Sequence, residues 1–223
     1  MGINMRSVGL VDNLNEFNYH ILGCGAIGSA AATQLVRMGA ENFCLYDNDV
    51  VDTGNVGVSQ YTIYDVGHKK VDMLKSKILD VNNSAEVMCA DEMFSNYIYM
   101  NDNDIIILGF DSMKSRLDAV KAITGWRQSS PLLLIDGRMG AEHYHQIVLE
   151  KPTLSKYIKH WYSDEEGDPE PCNAKATSYC SNMSGSFISD TIKKILTDSV
   201  YYKELSFHFP SLTMRRSGVI DRS

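Results

Sequence analysis

Gly23-Cys24-Gly25-Ala26-Ile27-Gly28 forms a GxGxxG sequence, and a nucleotide phosphate is the ligand it suits. The glycines permit a tight turn and a close backbone approach. A helix starting there would present free N–H groups and the positive end of its dipole to an anion. The same residues also serve as a purely structural turn, so the motif alone is weak. Asp47 lies 24 residues after Gly23, where an acidic side chain ending the next strand accepts hydrogen bonds from ribose hydroxyls. A dehydrogenase would carry the same pair. The continuation DNDVVDTGNVGVSQ does not suit one, because a carboxylate- and amide-rich loop offers phosphate- and metal-directed groups through Asp49 and Asn55. Turn chemistry is the plainer reading of those two residues.

Three further groups invite a chemical reading. Arg138, in DGRMG, follows an apolar run and would stand at the carboxyl end of a strand, the edge where open α/β sheets bind ligands. There it either supplies positive charge, contacts an incoming carboxylate with two hydrogen bonds, or forms a salt bridge to Asp136 or another surface acid. Cys172 follows an acidic stretch and precedes a helix, with Lys175 nearby; the lysine and the helix start favour the thiolate, and an inert loop thiol is the alternative. His143 and His145 share one face if their segment is a strand, but two histidines without a firm third ligand do not define a metal centre.

The elements that must hold these residues alternate from the start. Residues 17–22 read as a buried strand, 26–38 as a helix closed by Gly39, and 42–46 as the second strand. Val71, Leu74, Ile78 and Leu79 give 69–81 helical spacing, and 85–89 reads as a third strand. The continuous apolar run in 104–110 predicts a strand covered on both faces, followed by a helix over 115–126 and a strand over 132–135. Residues 145–150 suit an antiparallel strand. Periodicity fails over 151–171, where SDEEGDPEP predicts an exposed, mobile crossover loop. A helix over 179–196 and a strand over 203–209 complete a single domain, residues 1–210. Residues 211–223 read as a polar tail, disordered from Arg215 onward.

The chain's 223 residues, 44% hydrophobic, suit one core. No run of about 18 apolar residues appears, and the first residues lack the pattern of a secretory signal, so no membrane partner is expected. A formal charge of −7 makes nucleic acid an unlooked-for partner. Five cysteines in no CxxC pair argue against a disulfide framework and a familiar zinc site, and suit reduced thiols in a cytoplasm. Cys24 is explained by its small size in the glycine loop, Cys44 and Cys89 as strand core residues, and Cys180 as a packed helix residue.

Taken in order, GCGAIG, then Asp47-x-Asp49-x-Val51, Asn55, Gln60, Gly67-His68-Lys69-Lys70-Val71, and Asp111 after IIILGF, resemble the ThiF/MoeB/HesA family, the catalytic core of ubiquitin-activating enzymes. The resemblance spans Tyr19 to Leu196. It implies a doubly wound, Rossmann-like α/β sheet, mostly parallel, with antiparallel strands toward the C-terminus. It also implies ATP and Mg²⁺ as cofactors, with Gly23, Gly25, Gly28, Asp47 and Asp49 around the nucleotide. Asn55, Gln60 and Lys70 would address the phosphates, and Asp111 would be the magnesium carboxylate. The activity implied is adenylation of the C-terminal carboxylate of a ubiquitin-like or sulfur-carrier protein. Arg138 would assist, and transfer to Cys172 would follow only in members that use that thiol. A homodimer is implied as well.

The chain departs from the family where Ser59, not arginine, precedes Gln60. Arg6 lies where relatives often contribute an arginine across a dimer. The other readings the residues leave open are an adenylase of a peptide or tRNA-borne carboxylate, a noncatalytic ATP-binding subunit, and a small NAD-dependent dehydrogenase.

Overall fold

The computed structural model describes residues 9–92, 94, 100–125, 130–166 and 176–221. Five strands pair in parallel: β1 Asn18–Leu22, β2 Asn42–Tyr46, β3 Glu86–Ala90, β4 Asp104–Leu108 and β5 Leu133–Gly140. Three more, β6 His143–Glu150, β7 Tyr201–His208 and β8 Thr213–Ile220, add on antiparallel. The order across the sheet is β3-β2-β1-β4-β5-β6-β7-β8. This is the expected doubly wound α/β fold with a mixed C-terminal edge.

Strand β4, DIIIL, shows how sequence makes two faces. All five of its residues are buried, and successive side chains point to opposite sides. Ile105 and Ile107 join one apolar cluster, with Leu35, Val71 and Ile188, while Ile106 and Leu108 join a second, with Val120, Leu149 and Tyr157. Helices α1 Ala26–Met38, α3 Lys70–Val81 and α6 Ser178–Leu196 supply residues to the first cluster. Helices α4 Met113–Thr124 and α5 Leu154–Tyr157 supply the second. The short α2, Thr53–Val56, lies in the loop after β2. Gly39 ends α1 in the left-handed conformation (φ 109°), and the N–H groups of Gly39 and Ala40 take the carbonyls of Val36 and Leu35.

Three expectations need correction. Residues read as a polar tail form β8, paired with β7 from Tyr201↔Ile220 to His208↔Thr213. Seven of its eight residues are exposed, so backbone ladder bonds hold it and its sequence carries no buried pattern to read. The crossover span is structured where it is described: α5 and a 3-10 turn, Ile158–His160, follow β6, and Tyr157 is fully buried. One aromatic anchor has no periodicity, which is why sequence pattern passed it over. Cys89, read as core, is exposed because β3 is an edge strand. No helix among the described residues is long and apolar enough to cross a membrane.

Candidate active site

The sheet's order reverses where β1 lies between β2 and β4. At such a point the loops leaving neighbouring strands diverge to opposite faces and leave a crevice. A cleft of about 1100 Å³ opens there, lined by the glycine turn, the loop after β2, the start of α4 and the end of β5.

The glycine turn is built by steric necessity at two positions. Gly23 has φ 93°, and a Cβ there would sit 2.8 Å from the Gly109 carbonyl carbon. A Cβ on Gly28 would sit 1.9 Å from the Gly23 oxygen. Gly25 differs: an added Cβ meets no protein atom within 4 Å, and the residue borders the cleft.

Asp47 fastens this turn to the next loop. Its Oδ2 accepts from the Cys24 amide at 2.7 Å and its Oδ1 from the Asp49 amide at 2.9 Å. The Lys70 ammonium donates to Asp49 at 2.7 Å, and Lys70 is buried although charged. Burial alone would lower its pKa, but the hydrogen bond to Asp49 and the charges of Asp47, Asp49 and Asp52 raise it above the usual lysine value. Asn55 forms a capping box with Asp52: its Oδ1 accepts from the Asp52 amide at 3.0 Å, and its own amide donates to Asp52 at 2.9 Å. Asp111 is exposed on the cleft after β4.

Gln60 is not brought to the cleft. Its side chain donates to Asn182 of α6 at 2.8 Å, and Ser59 borders the cleft in its place. Cys172, Lys175 and Arg6 lie outside the described residues. Cys24 is buried, and its thiol pKa is pushed up by burial first and then by Asp47. Cys180 is pushed up to about 11, mainly by burial. Neither suits a nucleophile. His143 lies against His208, ring centroids 6.0 Å apart, and among the described residues no group of three metal-ligating side chains is arranged for an ion.

Arg138 does form the salt bridge to Asp136, and it also borders the cleft. Sequence reading missed the other partners. Arg116 of α4 donates to the same carboxylate and to the carbonyls of Gly137 and Phe110. Asp164, beyond α5, accepts from the Met113 amide at 2.6 Å, at the start of α4. Trp161 donates to the Met113 carbonyl at 2.8 Å. An arginine on a helix and an acid in a loop give no sequence signal of such meetings, because tertiary packing alone brings them together.

The fold and cleft define a doubly wound, Rossmann-like α/β domain open at its switch point, and the ThiF family model matches residues 3–217. The chain belongs to the ThiF family. It is 33% identical over 90 residues to the tRNA threonylcarbamoyladenosine dehydratase of Bacillus subtilis, covering 40% of this chain and 35% of that protein. It is 33% identical over 81 residues to the ubiquitin-like modifier-activating enzyme 5 of Arabidopsis thaliana, covering 35% and 19%. These stretches thus span about a third or less of the relatives' length. Among solved structures, Escherichia coli MccB with ATP superposes with a TM-score of 0.72 at 17% identity, over 96% of this chain and 67% of that one. At that identity the likeness concerns the fold.

Proposed function

We propose that this chain adenylates a carboxylate. An acceptor's carboxyl oxygen attacks the α-phosphorus of ATP, the bond to the bridging oxygen breaks, and pyrophosphate leaves with the electron pair, giving an acyl-adenylate. One observation carries the reading: Asp47 at the end of β2, bonded to the glycine turn, the buried Lys70 and the exposed Asp111 all border one cleft at the sheet's switch point. Each Asp47 oxygen keeps a lone pair for ribose hydroxyls beyond its backbone bond. The α1 start and Lys70 face the phosphates, with Asn55 beside them.

The donor set fits magnesium. An exposed carboxylate with substrate phosphates is the ligation that ion favours, and Asp111 would hold it. When bound, magnesium neutralises charge that builds on the phosphates during displacement. The chain itself contributes fixed, pre-oriented groups, and no strong general base is required because a carboxylate is already a nucleophile. The acceptor we favour is the C-terminal glycine of a ubiquitin-like or sulfur-carrier protein, supported by the likeness to a ubiquitin-like modifier-activating enzyme. Later transfer to Cys172, assembly as a homodimer and a cytoplasmic location belong to the same reading, by family resemblance. The likeness to a tRNA-modifying dehydratase favours a second reading, a tRNA-borne carboxylate.

ATP–pyrophosphate exchange tests this with three acceptors: proteins ending in Gly-Gly, peptides with a free terminal carboxylate, and carboxylate-bearing tRNA. Exchange is expected with the first. Asp111→Ala should lower it by roughly 100-fold or more, while Cys172→Ala should spare it and block only transfer. Exchange with none of the acceptors rejects adenylation, and parental exchange by Asp111→Ala rejects the magnesium assignment.

A further inference from the structure

Arg138 is held at several points and still faces the cleft. Its Nε and Nη2 donate to Asp136 Oδ2 at 3.0 and 2.7 Å, and its Nη1 donates to the His160 carbonyl at 2.8 Å. The Tyr162 ring lies 5.2 Å from its guanidinium carbon. A guanidinium has five N–H bonds, so one on each terminal nitrogen is left without a partner among the described residues. Asp136 has no exposure at all. It takes Arg116 on Oδ1 and a hydrogen bond from the Tyr157 hydroxyl at 3.0 Å on Oδ2.

The two arginines are used differently. Arg116 is turned inward onto the carbonyls of Phe110 and Gly137, so it joins the carboxyl ends of β4 and β5. Arg138 keeps donors for the cleft. Two guanidinium groups against one carboxylate leave one net positive charge; both arginines border the cleft, and Arg138 is the one whose two-bond edge on Asp136 leaves an N–H on each terminal nitrogen to present it.

A buried salt bridge adds little net stability compared with apolar packing of the same volume, so stability is a poor account of Asp136. Orientation is a better one. A free arginine carries about 2 kcal/mol of rotamer entropy, which a substrate would have to remove on binding. Two hydrogen bonds from one guanidinium edge to a fixed carboxylate remove it beforehand, and the His160 carbonyl and Tyr162 ring then rest on the arginine so placed.

We propose that Asp136 is a positioning residue that aims Arg138 at the acceptor's carboxylate and, through the same arginine, fastens the His160–Tyr162 stretch beside the cleft. Its activity arm rests on the adenylation reading. Its second arm does not.

Two readouts separate positioning from mere structure. Acceptor KM and ATP KM are measured in pyrophosphate exchange, and tryptic cleavage after the exposed Lys159 is followed by mass spectrometry under native conditions. Asp136→Asn is expected to raise the acceptor KM roughly 10-fold or more, the value of a charged hydrogen bond, with ATP KM within about twofold. Cleavage after Lys159 should accelerate several-fold. Tyr157→Phe removes one hydrogen bond and keeps the charge, so it carries the test if Asp136→Asn does not fold. It should shift both readouts by roughly 3-fold. Arg138→Lys should match Asp136→Asn, and the double variant should add little. Variants that melt earlier but leave acceptor KM and Lys159 cleavage at parental values overturn the proposal. If the parent exchanges with no acceptor, adenylation fails, and unchanged cleavage in Asp136→Asn and Tyr157→Phe still overturns the fastening by Asp136.

Discussion

At the residue scale, Gly28 is the most constrained position in the glycine turn. A methyl group there would lie 1.9 Å from the Gly23 oxygen, a backbone atom with no rotamer to move. Gly28→Ala must therefore shift α1 away from the turn, at a cost of about 1–3 kcal/mol or more, as overpacking does. Gly25→Ala meets open space and should leave thermal stability within about 0.5 kcal/mol. Chemical denaturation of the two variants checks this contrast, and equal stability losses would refute it. Legibility differs in the same way among the site residues. Gly23, Gly28, Asp47, Lys70 and Asp111 could be read because their roles follow from order along the chain, and all of them border or build the cleft. Asp136 could be read only as a neighbour of Arg138; Arg116 could not, because its buried ion pair has a partner 20 residues away across two elements, nor could Asp164, whose bond to the Met113 amide spans 51 residues. Gln60 was legible in type and order but not in direction, since Asn182 of α6 takes its amide.

At the element scale, the parallel half of the sheet was readable and the antiparallel half only partly so. Strands β1, β2 and β4 are buried enough for apolar runs to mark them, whereas β8 has almost no burial pattern to display. Strand β6 carries a pH-dependent consequence. His145 pairs with Arg138 across β5 and β6, and its pKa is lowered, first by burial and then by the Arg138 charge, against the opposing pull of Glu204 and Asp136. A histidine with a depressed folded pKa binds fewer protons folded than unfolded. Its contribution is present above the unfolded value near 6.5 and is lost as pH falls below it. Stability should therefore decline between about pH 7 and pH 5, and His145→Gln should flatten that decline. Denaturant midpoints across this range decide it; a parental slope in the variant would remove His145 from the account.

At the scale of the whole molecule, charge bears on the nucleotide binding proposed for the cleft. Among the described residues seven carboxylates border it, Asp47, Asp49, Glu92, Asp111, Asp118, Asp164 and Glu165, against four cations, Lys70, Lys114, Arg116 and Arg138. The chain as a whole carries −7, so neither the local nor the long-range field favours a bare triphosphate. Lys70 is paired with Asp49 and Arg116 with Asp136, which lowers the available positive charge further. Binding of ATP in EDTA should then be repulsive at long range and strengthen as salt rises from about 50 to about 300 mM, because screening shortens the reach of like charges. With magnesium present the ligand's charge is halved; on the proposed assignment Asp111 would also gain a counterion, and the salt dependence should flatten while affinity rises. Titration calorimetry at both ionic strengths, with and without magnesium, measures the four values. Tighter binding of metal-free ATP at low salt would mean that the cleft attracts the triphosphate on its own, leaving Asp111 no magnesium-dependent part in nucleotide capture.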